Sequence, residues 1–112
     1  MISRELTAAS AKPIVLSILS GGESYGYAII QRVKELSGGE IEWAEGALYP
    51  VLYRLERDGL VESVWRKGET GRKRKYYRLS STGKRMLAVE QQQWRLTNSV
   101  LEKLWAPQPS LT

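Results

Sequence analysis

The chain has 112 residues, 42% of them hydrophobic and 26% charged, which is enough apolar material for one core but not for two. It contains no cysteine and no histidine, which excludes disulfides, thiolate chemistry, ordinary zinc sites and imidazole acid–base catalysis, and so argues against an enzyme. Its net charge is +5, no apolar run approaches the roughly 20 residues that span a bilayer, and the opening Met-Ile-Ser-Arg-Glu-Leu lacks the layout of a signal peptide; a cytoplasmic protein is expected.

Leu6, Ile14, Val15, Leu16, Ile18 and Leu19 predict a first helix that stops at Gly21 and Gly22. Pro13 either bends one long helix or opens a shorter one, and one bent helix is the expectation. Ser24 is expected to cap a second helix through its hydroxyl, with Tyr27, Ile30, Val33 or Lys34, and Leu36 at helical spacing until Gly38 and Gly39. Ile41 to Trp43 reads as a connector. Glu45 to Asp58 predicts a third helix with Leu48, Val51, Leu52 and Leu55 on one stripe and Gly59 as its left-handed stop. Its opposite stripe carries Ala47, Tyr49, Pro50, Tyr53, Arg54 and Arg57, and Pro50 is expected in or near the first turn. Leu60–Trp65 and Lys75–Leu79 flank a Gly68–Gly71 loop and read as an antiparallel hairpin. Ser80 should cap a last helix running to about Trp105, before Pro107 and Pro109, with Gly83 costing its first turn about 1 kcal/mol.

The stretch Arg66 to Lys75 holds six basic residues and one acidic residue, so it alone carries the net charge of +5 and the rest of the chain sums to neutral. A charge surplus confined to one hairpin loop directly after an amphipathic helix suits a grip on a polyanion. The order helix, helix, helix, hairpin, helix makes the expected fold mainly α (α+β), a winged helix-turn-helix over residues 1–79 with a C-terminal dimerisation helix over 80–106 and a tail over 107–112. In such a fold the third helix enters the major groove and the hairpin loop meets the backbone or minor groove of double-stranded DNA. Arg54, Tyr49 and Tyr53 can donate to bases or phosphates, the helix start near Gly46 offers free amides, and Lys67, Arg72, Lys73 and Arg74 supply charge. Each feature also has a plainer reading. The charge run can be a solvated loop, Tyr53 can pack beneath the second helix, Tyr76 and Tyr77 read as strand and core residues, Trp43 and Trp65 as packing residues, and Glu40 and Glu42 as solvated charges. No cofactor is expected.

The last helix carries two neighbouring apolar seams, Met86, Val89, Gln93, Leu96 and Val100 beside Leu87, Trp94, Leu101, Leu104 and Trp105. One small domain cannot cover both, so a homodimer is expected; the alternative is a helix that folds back on its own domain.

Gly46-Ala47-Leu48-Tyr49-Pro50-Val51-Leu52-Tyr53-Arg54-Leu55-Glu56-Arg57-Asp58-Gly59-Leu60-Val61 resembles the signature of the PadR family of transcriptional regulators. Tyr25-Gly26-Tyr27, Arg74-Lys75-Tyr76-Tyr77-Arg78-Leu79, and Ser80 with Gly83 extend the resemblance from about Ile14 to Trp105. It departs at Ala47, where the family often has threonine, and at Tyr25, where it often has histidine. The resemblance implies a winged-helix dimer that usually represses. By it, DNA contact falls to Tyr25, Tyr49, Pro50, Arg54 and the wing cations, and dimerisation to the last helix with the first, including Leu6. The short last helix is similar to that of a small subgroup that includes a multidrug-sensing repressor, which implies that Trp94 lines a central slot for a planar hydrophobic or aromatic effector. Two indoles about a two-fold axis would make such a slot, while simple packing of the dimer by Trp94 stays open. A winged-helix module that docks an acidic protein surface is the alternative function.

Overall fold

The Ser3 hydroxyl accepts the Leu6 amide at 3.1 Å and opens the first helix, α1, Arg4–Ser20. In this computed structural model, which describes residues 2–107, α1 runs through Pro13 as one helix and buries Ala11, Val15, Leu16 and Leu19. Ser24 does not act as a helix cap. With Tyr25 it forms a two-residue strand, β1, Ser24–Tyr25, and the second helix, α2, Gly26–Leu36, starts without a side-chain cap. The reason is competition for the backbone: Ser24 and Tyr25 pair with Tyr77 and Tyr76, and an extended pairing removes the segment from the helix. The buried face of α2 is Gly26, Ile29 and Val33, whereas Tyr27 and Leu36, expected on that face, are exposed.

The third helix, α3, Glu45–Arg57, buries Leu48, Leu52 and Leu55, and Gly59 behind it takes φ +75°, which a residue with a side chain rarely adopts. Pro50 is the sixth residue of α3 rather than part of its first turn, so it withholds the amide that would have met the Gly46 carbonyl. Strands β2, Val61–Lys67, and β3, Lys73–Leu79, form the hairpin, in register from Val61 opposite Leu79 to Lys67 opposite Lys73. The sheet order β1-β3-β2 puts β3 in the centre.

Leu16, Ile29, Leu48, Leu52 and Val15 are fully buried where α1, α2 and α3 meet, and Val61, Tyr77 and Leu87 close that core from the sheet and the last helix. Each such side chain contributes about 1.5 to 3 kcal/mol by leaving water.

The last helix, α4, Ser81–Trp105, is capped as expected: the Ser80 hydroxyl accepts the Gly83 amide at 2.9 Å. Gly83 does more than weaken a turn. A Cβ there would lie 1.9 Å from the Leu60 carbonyl oxygen, so the glycine lets the helix press against the foot of the hairpin. Ser80 adds its amide to the same carbonyl at 3.1 Å. Beyond Leu87 the helix leaves the core, and Lys12 with Glu90, 3.4 Å apart, ties it to α1. Of the expected tail, residues 108–112, Pro109 among them, lie outside the described residues.

Candidate nucleic-acid interface

α3 turns its leucines inward, which leaves Ala47, Tyr49, Pro50, Tyr53, Arg54 and Arg57 exposed, the stripe read from the sequence. Tyr53 is 67% exposed, so it does not pack beneath α2. The Tyr49 phenol lies against Gly26, where a Cβ would stand 2.6 Å from the hydroxyl, and the residue stays partly open to solvent. No side chain caps the start of α3, which leaves its first amides for water or an anion.

A cleft of about 640 Å³ runs between the starts of α2 and α3 and the hairpin. It brings together Tyr25, Tyr49, Arg72, Lys73 and Arg74 from the expected set. Ala47 and Arg54 face the other flank of α3, toward the start of α1, so the expected residues form two groups divided by the helix, with Pro50 and Tyr53 exposed on the helix surface. Lys67 is exposed at the hairpin tip, opposite Lys73.

Trp65 corrects an expectation. It is 62% exposed and lines the cleft instead of packing. Strand alternation carried the signal: Val61, Ser63, Trp65 and Lys67 share one face, and the register sets Trp65 opposite Lys75. Tyr27 and Glu45 also line the cleft, though neither residue type nor spacing marked them for it. Trp43 is buried, as expected.

The six cations of the hairpin divide by partner. Arg66 pairs with Glu23 at 3.0 Å. Lys75 meets Glu56 at 3.3 Å, and the other Glu56 oxygen accepts the Ser63 hydroxyl, so one carboxylate joins α3 to both strands. The Ser63 hydrogen bond, aided by Lys75 and opposed by burial, holds the Glu56 carboxyl below its ordinary range. Burial acts to lower the Lys75 pKa, but the Tyr77 oxygen and Glu56 outweigh it and the pKa is raised, keeping the ammonium charged. Arg74 lies over the Tyr25 ring, 4.5 Å from its centroid, and Tyr25 in turn meets Tyr76 edge-on at 5.2 Å. Lys67, Arg72 and Lys73 enter no ion pair among the described residues. These three project charge that no described carboxylate neutralises.

At the far side, Trp94 lines a groove of about 830 Å³ with Ile14, Ile18 and Leu36. Leu6, Val89 and Leu104 are exposed and Leu101 is half-buried, so all four can meet a partner. Leu87 cannot, because it is buried in the core of its own domain, and Met86 packs against that core. The expected dimer seam is corrected accordingly: at its N-terminal end the helix turns these side chains inward. No described helix is long and apolar enough to cross a membrane, and the described residues hold no cluster of three metal-ligating side chains.

Residues 15–89 match the model of the Transcriptional regulator PadR-like family. A transcriptional regulator from Clostridium thermocellum superposes with a TM-score of 0.83 at 30% identity, covering 96% of this chain and 100% of that one. A PadR-like transcriptional regulator from Bacillus cereus gives 0.82 at 25% identity, over 93% and 99%. A PadR family regulator from Eggerthella lenta gives 0.75 at 35% identity, over 93% and 88%.

Proposed function

This chain belongs to the PadR-like family of transcriptional regulators, and from that premise we propose that it acts in the cytoplasm as a repressor, gripping a palindromic operator as a homodimer. The observation that carries the reading is the cleft itself, where phenols of α2 and α3 face a hairpin whose Lys67, Arg72 and Lys73 enter no ion pair among the described residues. α3 would enter the major groove while the hairpin follows the backbone. Residues 1–79 would serve as the reading head and residues 80–106 as the dimer helix, joined to its copy through Leu6, Val89, Leu101 and Leu104.

Trp94 supports an effector step. Its ring is 37% exposed beside Ile14 and Ile18, a flat apolar wall for a planar aromatic ligand. Such a ligand releases DNA only if it binds the incompetent spacing of the two heads more tightly, by about 1 to 3 kcal/mol for ordinary allostery.

The test is a mobility-shift titration against the DNA upstream of its own gene, at low and high salt, with and without a planar aromatic cation. A specific complex that weakens steeply with salt, with footprints about 10 bp or a multiple apart, is expected. Absence of a specific complex at every salt concentration would favour docking on an acidic protein surface instead.

A further inference from the structure

Among the described residues, a single acid lines the cleft between the hairpin and the two helix starts: Glu45, the first residue of α3. It is exposed and enters no ion pair among the described residues, although Arg72, Lys73, Arg74 and Lys75 line the same cleft. Other glutamates nearby are committed to hairpin cations, Glu23 to Arg66 and Glu56 to Lys75. The cleft thus keeps charge of both signs unneutralised and keeps the signs apart, with Arg72 and Lys73 on the hairpin and the carboxylate on the helix. Along α3, Glu45 stands one turn before Tyr49, and Tyr49 one turn before Tyr53, so the three share one exposed ridge.

In a site that grips phosphates alone, an acid is a liability, because it repels every phosphate it approaches. It becomes useful where the helix meets base edges. A carboxylate accepts hydrogen bonds and donates none. In the major groove cytosine presents its N4 amine as a donor, guanine and thymine present acceptors, and adenine sets its N7 acceptor beside its N6 donor. Of the four bases, cytosine is the one that a carboxylate suits.

We infer that Glu45 is a specificity-determining residue, which accepts a hydrogen bond from the N4 amine of one cytosine in each half of the operator. Arg72 and Lys73 hold the adjoining backbone. The inference rests on the reading of the chain as an operator-binding homodimer, and it assigns the start of α3 to the base edges, the end of a recognition helix that reaches them in helix-turn-helix proteins. Glu45 then works by contrast. On unrelated DNA it contributes repulsion without the hydrogen bond, so it lowers general affinity and raises selectivity.

The experiment is the selection of bound duplexes from a randomised double-stranded DNA pool by the full chain, by Glu45→Gln and by Glu45→Ala, followed by titration of the selected duplexes. The parent chain should fix a cytosine at one position in each half-site, and guanine or thymine there should weaken binding at least about fivefold. Glu45→Gln, whose amide both donates and accepts, should move the preference at that position to adenine and leave the other selected positions as they were. Glu45→Ala should lose the preference there, and both variants should bind a duplex of unrelated sequence about twofold more tightly or better. An acid that served only the helix dipole would lower the unfolding midpoint when replaced and leave the selected sequence alone. Identical selected sequences from all three proteins, or equal tightening of the variants on every duplex, would overturn the assignment while the regulator stands. If the parent enriches no sequence at any salt, the operator reading falls and takes this assignment with it.

Discussion

The body of the molecule, from Ala11 to Leu79, and the long α4 use their side chains in opposite ways. The body buries most of its apolar residues and leaves Tyr27, Tyr49, Tyr53 and most of its cations outside, with no buried side-chain nitrogen or oxygen lacking a partner among the described residues. α4 buries only Gly83 and Leu87 along its 25 residues and leaves Val89, Trp94, Leu96, Val100, Leu104 and Trp105 in contact with water. A surface made of charge and phenol suits a hydrated polyanion, because such groups remain satisfied when no partner is there. A surface made of leucine and tryptophan is costly when bare and suits a permanent apolar partner. On the proposed reading the two halves would face two kinds of partner, and the junction at Leu60, Ser80 and Gly83 is where they meet.

That contrast can be broken at its junction first. Gly83→Val forces a side chain into the Leu60 carbonyl and should cost about 3 kcal/mol or more in urea unfolding; an unchanged midpoint would mean α4 is not seated there. Leu104→Glu probes the apolar half. Leu104 is exposed within one subunit, so the thermal stability of the body should move by less than about 0.5 kcal/mol, while self-association measured by sedimentation should weaken about a hundredfold or more. Retention of the dimer would place the interface elsewhere. The charged half is sharpened by comparing cations: Arg72→Ala with Lys73→Ala should flatten the salt dependence of operator binding by about 3 to 4 units per dimer, at about 0.9 per contact, whereas Lys75→Ala, already held by Glu56, should leave it within about one unit.

The smallest effect concerns acid. Because the Glu56 carboxyl is held below its ordinary value in the fold, its contribution is present above the unfolded pKa of about 4.5 and is lost as pH falls through the lower folded one. The side chain is more than a third exposed to water, so screening limits the contribution to about 0.5 kcal/mol. Glu56→Gln should therefore flatten the stability profile below that pH and nowhere else, as urea titrations at several pH values would reveal.

Much of this arrangement was legible in the residues. The leucine stripe of α3, the Gly59 stop, the Ser80 cap and the basic hairpin are local patterns, set by spacing of a few residues. What the sequence hid depends on contacts distant along the chain. Ser24 has the chemistry of a cap, but Tyr77, far downstream, draws it into a strand. Trp65 looks like a core residue by type and becomes a cleft wall by position. Leu87 and Trp94 sit on one apparent seam, yet the fold turns one into the core and the other outward. Gly83 resembles a helix weakness until the Leu60 carbonyl is seen against it. The division of Arg54 from the hairpin cations depends on how α1 crosses α3, which no local spacing encodes.

The seat of α4 on the Leu60 carbonyl has a mechanical meaning. A helix of 25 residues is a rod of about 37 Å, and this one is clamped at one end to the foot of the hairpin. In a dimer joined along such rods, a tilt of roughly 5° at the clamp displaces the far end by about 3 Å, close to the rise of one base-pair step along DNA. A small ligand wedged beside the rod would thus need to move very little to put two reading heads out of step.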